Sequence, residues 1–386
     1  MGFGGIFGGL CADRLHVHVA GRLVQGWRWA FLIQVPFIIV SAVLVFFLVD
    51  IPVRNPYKSL GQALRRVDFL GALLLVVTVT TLLLGLNTGG NQLPWSHPLV
   101  IAALVVSALS LLLFIYVESN PNIVPEPVIP VSLIGRTRTI LCACLTNWFA
   151  TMSAFLALYF VPLYLQAILS YSSSDAGLRV IPFAIATSAG SLITGYIMRA
   201  TGKYYWLTVG TLVIYLVGSA LLCTFNQDTP SWASFVYTTP LGWGYGGMLT
   251  VTLVAMISAA AQEFQAVVTA ASYAFRSTGS TIGITIASAV FQNILTGELR
   301  DHYGDLPGSE DTIKHLRNSL EGLKDGYRLP KGWNRDVVLD CYMHGLRGAF
   351  ISGLGLAVLA GVAALGMKEH RLHSKLDRKD SNAEEQ

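Results

Sequence analysis

Charge is scarce in this chain. Of 386 residues only 12% are charged while 53% are hydrophobic, about half the charge density of an ordinary soluble domain. The net charge of +4 is too small and too dispersed to build a basic face, so no nucleic-acid partner is expected. Catalytic signatures are missing as well. There is no HExxH, GxSxG, P-loop or CxxC pair, which leaves metalloprotease, serine-hydrolase and nucleotide chemistry without a foothold. Cys11, Cys142, Cys144, Cys223 and Cys341 follow no ligand spacing and mostly fall in or beside apolar blocks, as buried thiols do. His16 and His18 in LHVHV have no third ligand nearby, so they read as loop residues rather than a metal site. Neither a metal nor any other cofactor is expected. No cleavable signal is expected either: Met1 runs straight into glycines with no basic region ahead of an apolar core.

What is present is long apolar runs. Windows of about 20 residues, enough to cross a bilayer, fall at 29–49, 69–87, 98–117, 139–168, 177–198, 205–224, 236–258, 270–296 and 347–367. The class is therefore an all-α integral membrane protein with nine full spans. The opening MGFGGIFGGLCA (residues 1–12) is apolar but too short to cross, so the chain is expected to begin inside a helix, followed by a loop at 13–27. Loop charges orient the bundle. Placing the 368–386 tail in the cytosol gathers thirteen Lys and Arg in that tail and the alternate loops on its side, whereas the opposite short loops at 88–97, 169–176 and 225–235 hold none. That is a positive-inside pattern. The stretch 297–346 carries seven Lys/Arg and nine Asp/Glu and is expected outside, with an amphipathic helix around 309–327.

One charge breaks the rule of the spans. Arg276 is the only charged side chain from Gln265 to Leu295. An arginine at membrane depth costs from about 2.5 to more than 10 kcal/mol depending on the reference state, so it either snorkels to the headgroups or faces a wet or paired interior. Ser272, Arg276 and Ser280 form a polar stripe at helical spacing, beside a small-residue stripe of Gly279, Gly283 and Ala287 that lets a neighbouring helix approach closely. The block PLGWGYGGM (240–248) is similarly rich in glycine. Asn147, in LTNWFATM, reads either as a substrate contact or as an interhelical hydrogen bond. Tyr159 and Tyr273 are the aromatic candidates for substrate contact.

These stretches carry a resemblance. GWRWAFLIQVPF (26–37), RVDFLGALLL (66–75), YFVPLYLQ (159–166), AGLRVIPF (176–183) and ASYAFRSTGSTIG (271–283) resemble the major facilitator superfamily, and most of all its fourteen-helix proton-antiporter branch. Within it, FLIQVPF, LTNWFAT and ASYAFRSTGSTIGITIASAVFQNIL look like the fungal vacuolar basic amino acid transporters. The resemblance implies two six-helix lobes plus two extra central helices, rocking about a midplane site. On that frame 28–117 holds the end of the N-terminal lobe and the extra pair, and 139–367 is the six-helix C-terminal lobe. GYIMRATGKYY (195–205) is similar to the family's cytosolic loop motif, with Gly195, Arg199, Gly202 and Lys203 as its gating positions. GGIFGG resembles the end of the antiporter motif through Gly4, Gly5, Gly8 and Gly9, with Ile6 where the family has proline. Helices one to four, half of five, and an expected membrane-embedded carboxylate have no counterpart here, and DRLHVHVAGRLVQ (13–25) is longer than the family's turn, an insertion or a gene-model artefact. Substrate is expected to be an amino acid, basic ones first, exchanged for protons across the vacuolar membrane. A multidrug or toxin exporter of the plasma membrane, or a truncated chain that does not transport, are the alternatives. Its partners are a small-molecule substrate, protons and the lipid bilayer, with no protein partner called for.

Overall fold

The structure is a computed structural model that describes residues 17–19, 22–24, 31–48, 68–89, 93–120, 134–135, 137–261, 264–318, 329–330 and 332–370. Two short strands, β1 (Val17–Val19) and β2 (Arg22–Val24), pair antiparallel with His18 opposite Leu23. They lie in the stretch expected as a loop at 13–27. Everything else with regular structure among the described residues is helical.

The helices are α1 (Gln34–Leu48), α2 (Phe69–Thr88), α3 (Pro98–Glu118), α4 (Arg138–Ala167), α5 (Ser173–Thr201), α6 (Tyr205–Cys223), a short α7 (Ser231–Val236) running into α8 (Thr238–Ala259), α9 (Gln265–Tyr303), α10 (Ser309–Asn318) and α11 (Arg335–Leu365). Among the described residues eight helices are long and apolar enough to span, α7 and α8 counting as one. The expected ninth span, 29–49, is described as the 15 residues of α1, about 22 Å at 1.5 Å per residue.

Helix ends follow local chemistry. Asp68 caps α2 by accepting from the Gly71 amide at 2.6 Å, and Ser172 caps α5 through the Asp175 amide at 3.1 Å, each satisfying an orphan first-turn donor. Gly202 closes α5 in the left-handed region at φ 66°, where a side chain is penalised.

Packing separates the chain into a hairpin and a bundle. Helices α2 and α3 pack on each other, joined by a Thr78–Ser110 hydroxyl pair at 2.8 Å and by Ser107 donating to the Thr78 carbonyl at 3.0 Å. Helices α4, α5, α6, α8, α9 and α11 form the bundle, with α4 in contact with α5, α8, α9 and α11. Helix α4 is accordingly buried along most of its length. Two apolar cores fill the bundle. One gathers Phe160, Tyr164, Phe225, Phe291, Tyr342 and Phe350, and the other gathers Ile140, Cys144, Met256, Val268 and Ala364. All of α1 is exposed to solvent or lipid.

Two boundaries differ from the sequence reading. The 297–346 stretch begins and ends inside helices, because α9 runs on to Tyr303 and α11 starts at Arg335. Charged residues end the hydropathic signal there, yet the apolar period continues through the buried Leu299, Tyr303, Val338, Tyr342 and Leu346. The expected amphipathic helix is α10, which buries Ile313 and Leu316 in the first core; residues 319–328 lie outside the described residues. Arg300 clasps α10 to α9 with two bonds to Glu310, at 2.7 and 3.0 Å. Hydrogen bonding to Arg300 holds the exposed Glu310 carboxyl below its usual range. The clasp therefore persists above that lowered value and loosens only as pH falls through it.

Candidate functional site

Three helices bring polar groups together inside the bundle. Asn147 and Thr151 stand one turn apart on α4, Ser272 and Arg276 one turn apart on α9, and Tyr245 faces them from α8. Asn147 is 2% exposed, and its Nδ2 donates to the Oγ of buried Ser272 at 2.8 Å. Thr151 Oγ1 and the Tyr245 hydroxyl are 3.4 Å apart. The Arg276 guanidinium lies close enough to the same Tyr245 hydroxyl to interact with it electrostatically, and its Cζ lies 5.1 Å from the Tyr273 ring centroid, a cation–π contact. The Tyr245 ring itself stacks on Phe183 at 6.3 Å. Arg276 is half-buried and, among the described residues, forms no ion pair. It sits eleven residues from the Gln265 end of α9, about 16 Å along the axis, within a helix long and apolar enough to span a bilayer.

Close backbone approach makes this convergence possible. A Cβ on Gly279 would fall 2.8 Å from the Trp148 carbonyl, and one on Gly283 would fall 2.5 Å from the Met152 Cα, so α9 lies directly on α4. Helix α8 is glycine on two faces: Gly242 and Gly246 meet the backbone of α5 at Phe183 and Thr187, while Gly244 would meet the Tyr215 Cα of α6 at 2.6 Å. Tyr245 stands between these faces, and α8 is thereby inserted deep enough to aim its phenol at α4 and α9.

Beside this cluster lies an apolar cavity of about 330 Å³ between the α2–α3 hairpin and the α4–α9 pair, lined by Leu82, Phe114, Trp148, Phe275, Thr278 and Ile282 among others. The Trp148 and Phe275 rings meet edge to face at 6.2 Å, and the buried indole Nε1 of Trp148 has no hydrogen-bond partner among the described residues. An orphaned buried donor on a cavity wall is a place for a ligand acceptor.

The structure brings Asn147, Arg276 and Tyr273 of the expected residues together and leaves others apart. Tyr159 is half-exposed and twelve residues beyond Asn147, roughly 18 Å along α4. It does not join the cluster. Gly195 and Arg199 lie in the last turns of α5, Gly202 is its cap, and Lys203 follows as an exposed residue. A Cβ on Gly195 would meet nothing closer than Thr250 Cγ2 at 3.7 Å, so packing does not demand glycine there. Gly4, Gly5, Gly8 and Gly9 lie outside the described residues. Sequence reasoning missed Tyr245, whose only signal was an aromatic ring in the middle of a glycine-rich block, and it missed the pairing of Thr151 with that ring.

Comparison with known proteins gives this geometry a context. The family model described as Major Facilitator Superfamily matches residues 1–284. Multidrug resistance protein fnx1 of Schizosaccharomyces pombe is 37% identical over 380 residues, covering 97% of this chain and 68% of the relative. Vacuolar membrane amino acid uptake transporter fnx2 of the same yeast is 33% identical, over 96% of this chain and 60% of the relative. Vacuolar basic amino acid transporter 2 of Saccharomyces cerevisiae is 30% identical, over 80% and 66%. The chain thus spans about two thirds of the length of these relatives. A multi-pass helical bundle, a family model over most of the sequence and relatives at this identity together establish that the chain belongs to the Major Facilitator Superfamily.

Proposed function

We propose that this chain supplies the substrate-facing helices of a proton-coupled antiporter that moves amino acids, basic ones foremost, across the vacuolar membrane. The observation that carries the reading is Arg276, a half-buried guanidinium in a helix apolar enough to span a bilayer, with no acidic partner among the described residues. A planar, two-pronged cation of that kind reads a carboxylate by paired hydrogen bonds, and every α-amino acid presents one. The Tyr245 hydroxyl and the Asn147–Ser272 pair provide neutral acceptors nearby, and the half-exposed Tyr273 ring provides a cation–π face for a basic side chain. Two of the relatives are named for vacuolar amino acid transport, which supports both substrate class and membrane. In this reading Gly195, Arg199, Gly202 and Lys203 form a cytosolic gating turn, and Gly279 and Gly283 let α9 and α4 move as one packed unit.

A second reading, export of apolar or cationic drugs, is favoured by the 330 Å³ apolar cavity beside Trp148 and by the relative named for multidrug resistance. The two readings separate in sealed vacuolar vesicles energised by a proton gradient. The amino-acid reading expects arginine and lysine uptake that collapses with a protonophore and is competed by other basic amino acids. Uptake of a lipophilic cation with no arginine or lysine uptake would replace it with the drug reading.

A further inference from the structure

Four metal-ligating side chains meet at the far end of α9 and α11 from Arg276. Glu298 and His302 stand one turn apart on α9; Cys341 and His344 stand one turn apart on α11, and the two helices pack together. One ligand atom from each of Glu298, His302 and Cys341 lies within 4.8 Å of the others. His344 Nδ1 reaches the Glu298 carboxylate at 2.9 Å, and His302 Nδ1 is pinned 2.9 Å from the Glu298 backbone carbonyl. The site has an inside and an outside. Cys341 is 1% exposed, the Glu298 side chain is 33% exposed and that of His344 is 51%, so the thiol forms the floor and the imidazoles the mouth.

We propose that Glu298, His302 and Cys341 form a site for a divalent transition-metal ion of the zinc type, with His344 orienting the Glu298 carboxylate or closing the fourth position. The ligand chemistry selects the ion. One oxygen, one nitrogen and one sulfur donor suit zinc, whereas magnesium and calcium require oxygen donors throughout. Tetrahedral bonds of about 2.0–2.3 Å to zinc put ligand atoms about 3.3–3.6 Å apart, so closure from a spacing within 4.8 Å takes at most about 1.5 Å, within reach of side-chain rotation. The His344–Glu298 bond has the form of a carboxylate–histidine support for a ligand. No linear spacing reveals this set, because its halves are contributed by two helices separated by α10. A bound ion ties together the ends of α9 and α11 and so fixes the base of the segment between them. On the topology expected from the loop charges these ends face away from the cytosol. The proposal does not depend on which substrate the protein carries.

The test uses the purified protein in detergent at neutral pH, stripped with chelator and titrated with Co²⁺ as a spectroscopic probe, then with Zn²⁺. One cobalt should bind per chain with thiolate-to-cobalt charge-transfer absorption in the near ultraviolet, zinc should displace it, and zinc should raise the thermal unfolding midpoint. Cys341→Ser should abolish the band, His302→Ala should weaken zinc binding by more than about tenfold, and Cys142→Ser should change neither. Because Cys341 is buried, the exposed His302 position decides the matter should the Cys341 variant fail to fold. Absence of the band in the wild type, a band that survives Cys341→Ser, or zinc affinity unaltered by His302→Ala would each overturn the proposal.

Discussion

At the scale of single residues, the guanidinium of Arg276 meets a phenol ring at Tyr273 and a hydroxyl at Tyr245 but, among the described residues, no carboxylate. Tyr245→Phe tests that arrangement with little disturbance. It keeps the ring on Phe183 and deletes only the oxygen shared with Thr151 and Arg276. The expected loss is one hydrogen bond, about 1 kcal/mol, read as a roughly fivefold rise in half-saturating arginine concentration with normal abundance. An unchanged value would remove Tyr245 from the site. Asn147→Ala acts on a structural bond instead: it strands buried Ser272 Oγ and should lower folded abundance as well as transport, whereas loss of transport alone would make Asn147 a substrate contact. Arg276 and Asn147 draw notice in the sequence because a charge and an amide stand out in apolar runs, and the structure places both in this cluster. Tyr245 was not, since its neighbours Gly244, Gly246 and Gly247 signal packing and hide a polar ring among them. Tyr159 stands apart from this cluster, and aromatic content in the sequence says nothing about which way a ring faces.

Helices carry the next set of consequences. Gly246 of α8 lies on the α5 backbone at Thr187 and Gly283 of α9 on α4 at Met152, so a bulky side chain at either must push two helices apart. Overpacking of this kind costs roughly 1–3 kcal/mol or more. Gly246→Val and Gly283→Val should therefore reduce the amount of folded protein recovered in mild detergent, while Gly195→Ala, with room for its Cβ, should leave it unchanged. Normal recovery of Gly283→Val would show that α4 and α9 do not approach as described. The small-residue spacing at 279, 283 and 287 made this contact legible. Helix length was not legible: hydropathy ends near 296, but α9 is 39 residues long, about 58 Å, because its last turns bury an apolar stripe under a charged surface. The β1–β2 pair was equally invisible, being two runs of three residues with no local pattern longer than themselves.

For the whole molecule, the sequence carried the class, the family and eight of the nine expected spans, since each rests on long-range composition or on ordered motifs; the assembly of Glu298, His302 and Cys341 across two helices needed coordinates. The loop charges predict the orientation. A single cysteine placed at the exposed Asp311 of α10 should react with an impermeant reagent only from the lumenal side of sealed vesicles, and one placed at Lys368 only from the cytosolic side. Labelling at Asp311 from the cytosolic side alone would invert the bundle. The central claim is that Arg276 reads the substrate carboxylate from within the membrane, and proton-driven arginine uptake in vesicles matched for protein abundance tests it most directly. The account predicts that Arg276→Ala abolishes uptake at normal abundance and that Arg276→Lys retains part of it with weakened apparent affinity, because the charge survives and the two-pronged donor does not. Wild-type uptake by Arg276→Ala would contradict it.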